Sequence, residues 1–298
     1  MNQKEENKEY AKTTISWYPG HMAKTKRLIN ETGKIIDIVY EIIDARIPYS
    51  SKNQDLTVML PNKPHILIMT KYDLCDEAET NKWIKYYQDK KYQIIKLNLN
   101  QSHVDFSELI KITNDLFLKQ NNKRNAKGML DKEIHALVCG VPNVGKSTFI
   151  NRFVNKTVAN VGNKPGVTTK MVWLKTKSNI LMLDTPGILW PKLANNEVAL
   201  NLAAMSAIRE EIINVDDIAW HILNKLNKYY PKVLNDRYGI NKLSGDFLAD
   251  YEVIGTHMHA LIQGGEIDIK RVSNNILNDL KLARITGITF DRWVDYHA

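Results

Sequence analysis

The stretch Gly140-Val141-Pro142-Asn143-Val144-Gly145-Lys146-Ser147 restricts the fold more than any other feature of this 298-residue chain. It follows an apolar run, IHALVCG, and precedes a helix-compatible run, TFINRFV. Strand, glycine-rich turn and helix in that order make a phosphate loop. The glycines let backbone N–H groups, among them those of Val144 and Gly145, converge on a phosphate, and the helix N-terminus adds partial positive charge. Lys146 would reach the β- and γ-phosphates, and the Ser147 hydroxyl, beside Thr148, would ligate Mg²⁺. Such a loop needs a sheet behind it, so an α/β fold is expected.

A second element, Asp184-Thr185-Pro186-Gly187, ends the apolar run NILMLD, 38 residues after Lys146. Asp184 fits the carboxylate that holds Mg²⁺ through its water shell, and the Gly187 N–H can contact a γ-phosphate oxygen. Taken alone, the tetrapeptide is also a good turn. Its spacing from the loop makes it part of a site. Between the two lies KPGVTTK, where Thr168 is the candidate Mg²⁺ ligand that senses the γ-phosphate, with Thr169 as its alternate. A surface loop with incidental threonines is the plain alternative.

The candidate base reader is Thr70-Lys71-Tyr72-Asp73, after the run HILIMT. A carboxylate such as Asp73 accepts from both N1–H and the 2-amino group of guanine, a pair of donors that adenine lacks. Lys71 can lie along the base. The usual first residue of this motif is Asn, and here it is Thr70. The segment stands about seventy residues before the phosphate loop instead of after it. All parts of a GTPase are present, but the chain enters the fold in the middle. The loop that presents a backbone N–H to the guanine O6 should follow YQIIKLN. No Ser-Ala pair stands there, and Asn98 to Asn100 is assigned by position alone.

Catalysis poses a separate problem. Many GTPases orient the attacking water with a Gln after the Gly of this motif, but that position is Ile188, followed by Leu189. An aliphatic side chain cannot hydrogen-bond a water, so the positioning group must come from elsewhere. Asn143, by motif similarity, could help bind a monovalent cation, K⁺, near the β- and γ-phosphates.

Short apolar runs at 35–44, 65–70, 92–98, 134–140, 171–176 and 179–184 alternate with helical stretches near 78–90, 102–119 and 146–155. The polar, basic stretch 119–133 reads as a linker. From about residue 190 the strand signal ends, and four amphipathic stretches, separated by Pro231, Gly239, Gly245 and Gly264-Gly265, point to a small all-α domain. Its aromatics, Trp220, Tyr229, Tyr230, Phe247 and Tyr251, are expected to pack its core. The net charge of +8 is uneven: residues 1–189 hold 29 Lys/Arg and 19 Asp/Glu, and 190–298 hold 12 and 14. A basic domain attracts polyanions, though a Lys-rich surface also serves solubility. Two distant cysteines, Cys75 and Cys139, form neither a CxxC pair nor a disulfide framework. No apolar run approaches the roughly 18 residues of a membrane span, the N-terminus lacks a secretory stretch, and the cytoplasm is the expected compartment.

Base reader first, phosphate loop second and DTPG third, with an aliphatic residue after the Gly, resembles the circularly permuted GTPases. Within them, Trp17-Tyr18-Pro19-Gly20-His21-Met22-Ala23-Lys24, Asp44-Ala45-Arg46-Ile47-Pro48 and DTPGILWPK (184–192) resemble the bacterial ribosome-biogenesis GTPase A family, from about residue 15 to the C-terminus. The resemblance implies an N-terminal extension (1–14), a circularly permuted GTPase domain (15–189) and a helical C-terminal domain (190–298) that contacts ribosomal RNA. It also implies GTP hydrolysis late in assembly of the large ribosomal subunit, stimulated by that subunit. His21 is the catalytic candidate it carries, beside Lys146 and Thr168. An imidazole can orient water where Ile188 cannot, yet His21 could equally cap the basic helix MAKTKRLIN or meet RNA phosphate. Lys24, Lys26 and Arg27 could meet rRNA or simply face water. Arg46 could support the switch region, contact RNA or fix its own loop. A monomer is the default.

Overall fold

The computed structural model describes residues 20–154, 172–187, 195–208 and 212–297. Six strands, β1 (Ile38–Asp44), β2 (His65–Thr70), β3 (Gln93–Lys96), β4 (Ile134–Cys139), β5 (Val172–Lys175) and β6 (Ile180–Asp184), form one sheet in the order β3-β2-β1-β4-β6-β5. All neighbours run parallel except β5 and β6. The helices α1 (Gly20–Thr32), α2 (Gln54–Met59), α3 (Glu77–Asp89), α4 (Ser107–Asn125) and α5 (Lys146–Val154) fall among the strands. The chain steps outward from β1 to β3 and then returns to the other side of β1 at β4. Strand order therefore reverses between β1 and β4, and open α/β sheets bind ligands beyond the carboxyl ends of strands at such a reversal.

The central strands are buried on both faces, which is why β1 reads IVYEIID rather than as an alternating pattern. Its one acidic interior residue, Glu41, accepts from the Asn53 N–H at 2.6 Å and faces Lys52 at 3.7 Å, and burial raises its carboxyl pKa. Strand β5, at the edge, is partly exposed throughout.

After β6 the described elements are helices, apart from one isolated antiparallel bridge between Leu261 and Ile267: α6 (Asn196–Ala204), α7 (Val215–Tyr229), α8 (Pro231–Tyr238), α9 (Phe247–His257), α10 (Ile269–Lys281) and α11 (Trp293–Tyr296). Buried Ile222, Leu226, Ile276 and Leu280 sit in their interior. The same apolar cluster continues through Val198 and Leu202 of α6 to Phe149 and Ile150 of α5. Tyr251 is buried and stacks on Phe247 at 4.1 Å, with Trp220 beside Phe247 at 5.5 Å. Tyr230 packs against the same cluster while its hydroxyl donates to Asp76 at 3.0 Å, whereas Tyr229 differs from the expectation of core packing: the Arg292 guanidinium lies over its ring at 4.7 Å.

Two local readings change. The expected linker 119–133 is helical through Asn125, because Asn121 is buried there and accepts from the Lys132 N–H at 3.1 Å. Pro231 does mark the break after α7, but a further helix, α8, begins at it, since proline at the first helical position loses only an N–H that has no partner in any case. Gly239 then ends α8 with φ +70°. Among the described residues, no helix is long and apolar enough to cross a membrane.

Residues after α10 return to the sheet. The Phe290 N–H donates to the Arg46 carbonyl at 2.8 Å, and the Gly287 N–H to that of Leu74 at 2.9 Å. The buried Asp291 carboxylate accepts from the N–H groups of Tyr49 and Ser50 at 2.8 and 2.7 Å, and from Asn201 Nδ2 at 2.9 Å. Trp83 of α3 donates its indole N–H to the Asp291 carbonyl at 2.7 Å.

Candidate nucleotide site

The phosphate loop leaves the sheet where only glycine fits. A Cβ on Gly140 would stand 2.5 Å from the Ile42 carbonyl oxygen of β1. Asn143 and Gly145 take positive φ, +62° and +94°, and for Asn143 that left-handed backbone costs about 1–2 kcal/mol. Strain of this kind gathers at ligand-holding turns. Helix α5 starts at Lys146, with Ser147 and Thr148 half-buried in its first turn and Val144 buried before it.

Strand β6 brings Asp184 opposite Val138 of β4. Lys146 Nζ pairs with Asp184 Oδ1, and both side chains are buried. Thr185 donates its hydroxyl to the Val138 carbonyl at 2.8 Å, fixing the chain as it leaves β6. Gly187 then crosses the loop so closely that a Cβ would lie 3.0 Å from Pro142. Lys146 and Ser147 at the start of α5, Asp184 at the end of β6 and Gly187 just beyond it thus lie at one end of the crevice.

At the end of β2 the segment Thr70-Lys71-Tyr72-Asp73, the candidate base reader, closes the other end. Thr70 Oγ1 donates to the Val144 carbonyl of the phosphate loop and also lies 3.2 Å from the Ile43 carbonyl. The Lys71 ammonium donates to the Asn143 carbonyl at 2.8 Å and to Asp44 Oδ2 at 2.8 Å. Two hydrogen bonds therefore join segments some seventy residues apart in the chain. They also explain how Thr stands in for Asn: the position needs one donor toward Val144, and a hydroxyl supplies it. Lys71 itself adopts a left-handed backbone, φ 56°, and Asp73, two residues on, is exposed.

Asn98 follows β3 and lies beside this corner. The Leu97 N–H donates to the Met69 carbonyl at 2.8 Å, and Leu99 Cδ1 approaches within 3.4 Å of the position a Cβ on Gly145 would take. The Asn98 side-chain oxygen accepts from the Asn100 N–H at 3.0 Å, an Asx turn that shapes the loop.

Sequence spacing did not single out two other contributors. Asp44, at the end of β1, is buried and holds Arg46 through two parallel hydrogen bonds, Nε to Oδ1 at 3.0 Å and Nη2 to Oδ2 at 2.8 Å. Burial works against its charge, but Arg46 and Lys71 more than offset it and hold the Asp44 carboxyl well below the usual carboxylate range. Ser206, just after α6, accepts from Asn143 Nδ2 through its carbonyl at 2.6 Å and has φ 60°. The only signal for Arg46 was its motif, and Ser206 had none, because no periodicity marks a carbonyl that faces a distant loop.

The donors fit Mg²⁺. A hydroxyl (Ser147) and a carboxylate (Asp184) beside a phosphate loop are hard oxygen ligands of the kind Mg²⁺ takes together with substrate phosphates. No group of three or more His, Cys, Asp or Glu able to hold a metal occurs among the described residues. Thr168, Thr169 and Ile188 lie outside the described residues, as does the side chain of His21, whose backbone lies in the first turn of α1.

A family model described as 50S ribosome-binding GTPase matches residues 135–242, so its match begins at β4 and leaves the base-reading segment outside. Ribosome biogenesis GTPase A of Bacillus cereus is 38% identical over 277 residues, covering 93% of each chain. The protein of the same name from Priestia megaterium is 37% identical, covering 93% of this chain and 96% of its own. In three dimensions the chain is similar to YlqF from T. maritima in its GNP-bound form, with a TM-score of 0.61 at 22% identity, over 90% of this chain and 98% of that one. With two ends of a nucleotide site joined in permuted order, and that identity over most of its length, the chain belongs to the ribosome biogenesis GTPase A family of circularly permuted GTPases.

Proposed function

We propose that this GTPase acts in the cytoplasm on a precursor of the large ribosomal subunit, and that its bound nucleotide sets its affinity for that particle. The observation that carries the nucleotide part is the pair of hydrogen bonds from Thr70 and Lys71 to the phosphate loop, which makes one site of two distant segments. In this reading Asp73 and Lys71 recognise guanine, with the loop at Asn98 beside them. The backbone N–H groups of the phosphate loop, Val144 and Gly145 included, hold the β-phosphate together with Lys146. Ser147, Thr168 and Asp184 hold the Mg²⁺ that neutralises phosphate charge, and Thr148 supports the first turn. With GTP bound, Lys146 exchanges its Asp184 partner for phosphate, and Gly187 sits where its N–H meets a γ-phosphate oxygen. GTP then favours one arrangement of the segment bearing Thr168 and GDP another, which biases binding between two states.

The ribosomal part rests on the names of the relatives, ribosome biogenesis GTPase A and 50S ribosome-binding GTPase. The helical residues 190–298 are proposed as the RNA-contacting arm, and residues 15–189 as the nucleotide domain. His21 is proposed as the group that positions the attacking water in place of Ile188. Asn143 is proposed to assist a K⁺ ion, and equal hydrolysis rates in potassium and sodium would remove that role.

The test is GTP hydrolysis by the full chain, alone and with large subunits, small subunits or tRNA, in the wild type and in His21→Ala. Stimulation by large subunits alone, lost in the variant, is expected. Normal stimulated turnover in His21→Ala would exclude the catalytic role. Hydrolysis indifferent to all three partners would sink the assembly reading.

A further inference from the structure

We propose that Arg46 is a positioning residue for guanine recognition: it clamps Asp44 so that the shared carboxylate holds Lys71 at the base, and the helical region fastens Arg46 in turn. The proposal rests on the reading of Lys71 as a base-contacting residue and extends that reading to groups without their own contact to nucleotide.

The geometry is specific. Asp44 ends β1 in register with Thr70 on β2, one residue before Lys71. Its Oδ2 accepts from both Arg46 Nη2 and Lys71 Nζ, each at 2.8 Å, while its Oδ1 accepts from the Arg46 Nε and backbone N–H, each at 3.0 Å. A buried carboxylate that only balanced a buried arginine would need no second cation. Here the second is the lysine of the base-reading turn, reached from the adjacent strand. Lys71 stands in a left-handed backbone, which persists only where the surroundings overdetermine it. Those surroundings are Asp44 and the Asn143 carbonyl.

Arg46 is fixed from the other side. Its Nη1 donates to the Leu280 carbonyl at the end of α10 at 3.4 Å, and its own carbonyl accepts the Phe290 N–H at 2.8 Å. Thr80 of α3 donates to the neighbouring Ala45 carbonyl at 2.9 Å. Only a planar guanidinium spans both carboxylate oxygens and the Leu280 carbonyl together; an ammonium is a single point donor. The chain of contacts Leu280–Arg46–Asp44–Lys71 therefore runs from the helical region to the edge of the guanine site.

The experiment is calorimetric titration of the full chain with GDP and, separately, with inorganic pyrophosphate, in the wild type, Arg46→Lys, Lys71→Met and the double variant. Arg46→Lys keeps the charge and loses the fork, so the buried carboxylate is not left bare. We expect it to weaken GDP about tenfold and pyrophosphate less than about twofold, a split that general damage to the fold would not produce. In the Lys71→Met background the same substitution should cost GDP affinity less than about twofold, because the group through which it acts is gone. Unchanged GDP affinity in Arg46→Lys would overturn the proposal. So would losses that multiply in the double variant, which would make Arg46 independent of Lys71. A wild-type chain that does not distinguish Lys71→Met in GDP binding would instead overturn the base-reading assignment itself, and the proposal with it.

Discussion

The two ends of the nucleotide site are built differently. At the phosphate end, glycine-permitted backbone does most of the work: Gly140 clears the Ile42 carbonyl, Gly145 turns at φ +94°, and one ion pair, Lys146–Asp184, ties the start of α5 to the end of β6. At the base end the backbone is ordinary apart from Lys71, and position comes from the buried pair Asp44 and Arg46 with the half-buried Lys71, held by the helical region. A site made from local backbone tolerates changes far from it. One made from a relay of side chains does not.

The largest effect should come from breaking the phosphate end. Lys146→Met should lower kcat/KM for GTP by at least about a hundredfold, as the loss of one charged donor to a reacting phosphate does. The buried Asp184 it leaves unpaired should also lower nucleotide-free stability by about 3 kcal/mol, read by chemical denaturation. Hydrolysis within tenfold of the wild type would remove Lys146 from the site.

Next comes the base end proper. Asp73 is exposed and carries little of the fold, so Asp73→Ala should leave the thermal midpoint unchanged while reducing the preference for GTP over ITP by about tenfold or more, measured by competition. The estimate is the worth of one hydrogen bond from the 2-amino group to a charged acceptor. An unaltered preference would contradict guanine reading by this residue.

The contact between the two ends is weaker and is best probed at Thr70. Thr70→Val keeps the shape but leaves the Val144 carbonyl without its donor, which should cost about 1–2 kcal/mol of GDP affinity or stability. Thr70→Asn restores a donor and should bind GDP within about threefold of the wild type. If both behaved as the wild type, the hydroxyl would not be the link.

Acid should loosen the helical hold before it touches the base network. His221 of α7 is half-buried, with its Nε2 2.7 Å from Asn201 Oδ1, and desolvation, with Lys225 nearby, lowers its pKa from 6.5 to about 3. A depressed folded pKa means the neutral form supports the fold fully above pH 6.5, and stability is lost as pH falls from there toward about 3. By pH 5 that loss approaches about 2 kcal/mol. His65, lowered to about 4 by burial, adds a similar slope over the same range. Asp44, held below the usual carboxylate range, contributes stability above that range and loses it only in stronger acid. His221→Gln should therefore flatten the pH dependence of the unfolding free energy between pH 6.5 and 5 without abolishing it. An identical slope in the variant would show that His221 does not titrate with unfolding.

Much of the sheet was legible because buried parallel strands are short apolar runs bounded by turn residues. HILIMT falls on β2 at residues 65–70, and the run 179–184 differs from β6 by one residue. The helix α8 was not legible, since its pattern is short and begins with a proline that also marks breaks. In the site, glycine and lysine spacing pointed to the phosphate loop, and the permuted order followed from where TKYD stood.

From sequence alone came the α/β class, the permuted order, the phosphate loop and DTPG, because each is a local rule about backbone room and strand-to-helix context over a few residues. The tertiary structure alone decided that Thr70 meets Val144, that Asn143 meets Ser206, and that Arg46 serves Asp44 and Lys71 while held at Leu280. Apart from that of Arg46 with Asp44, two residues away, those contacts join residues dozens to hundreds of positions apart, and their partners are often carbonyls that every residue carries. No spacing rule reaches that far, so only the folded chain, by bringing strand ends and a helix end together, could select them.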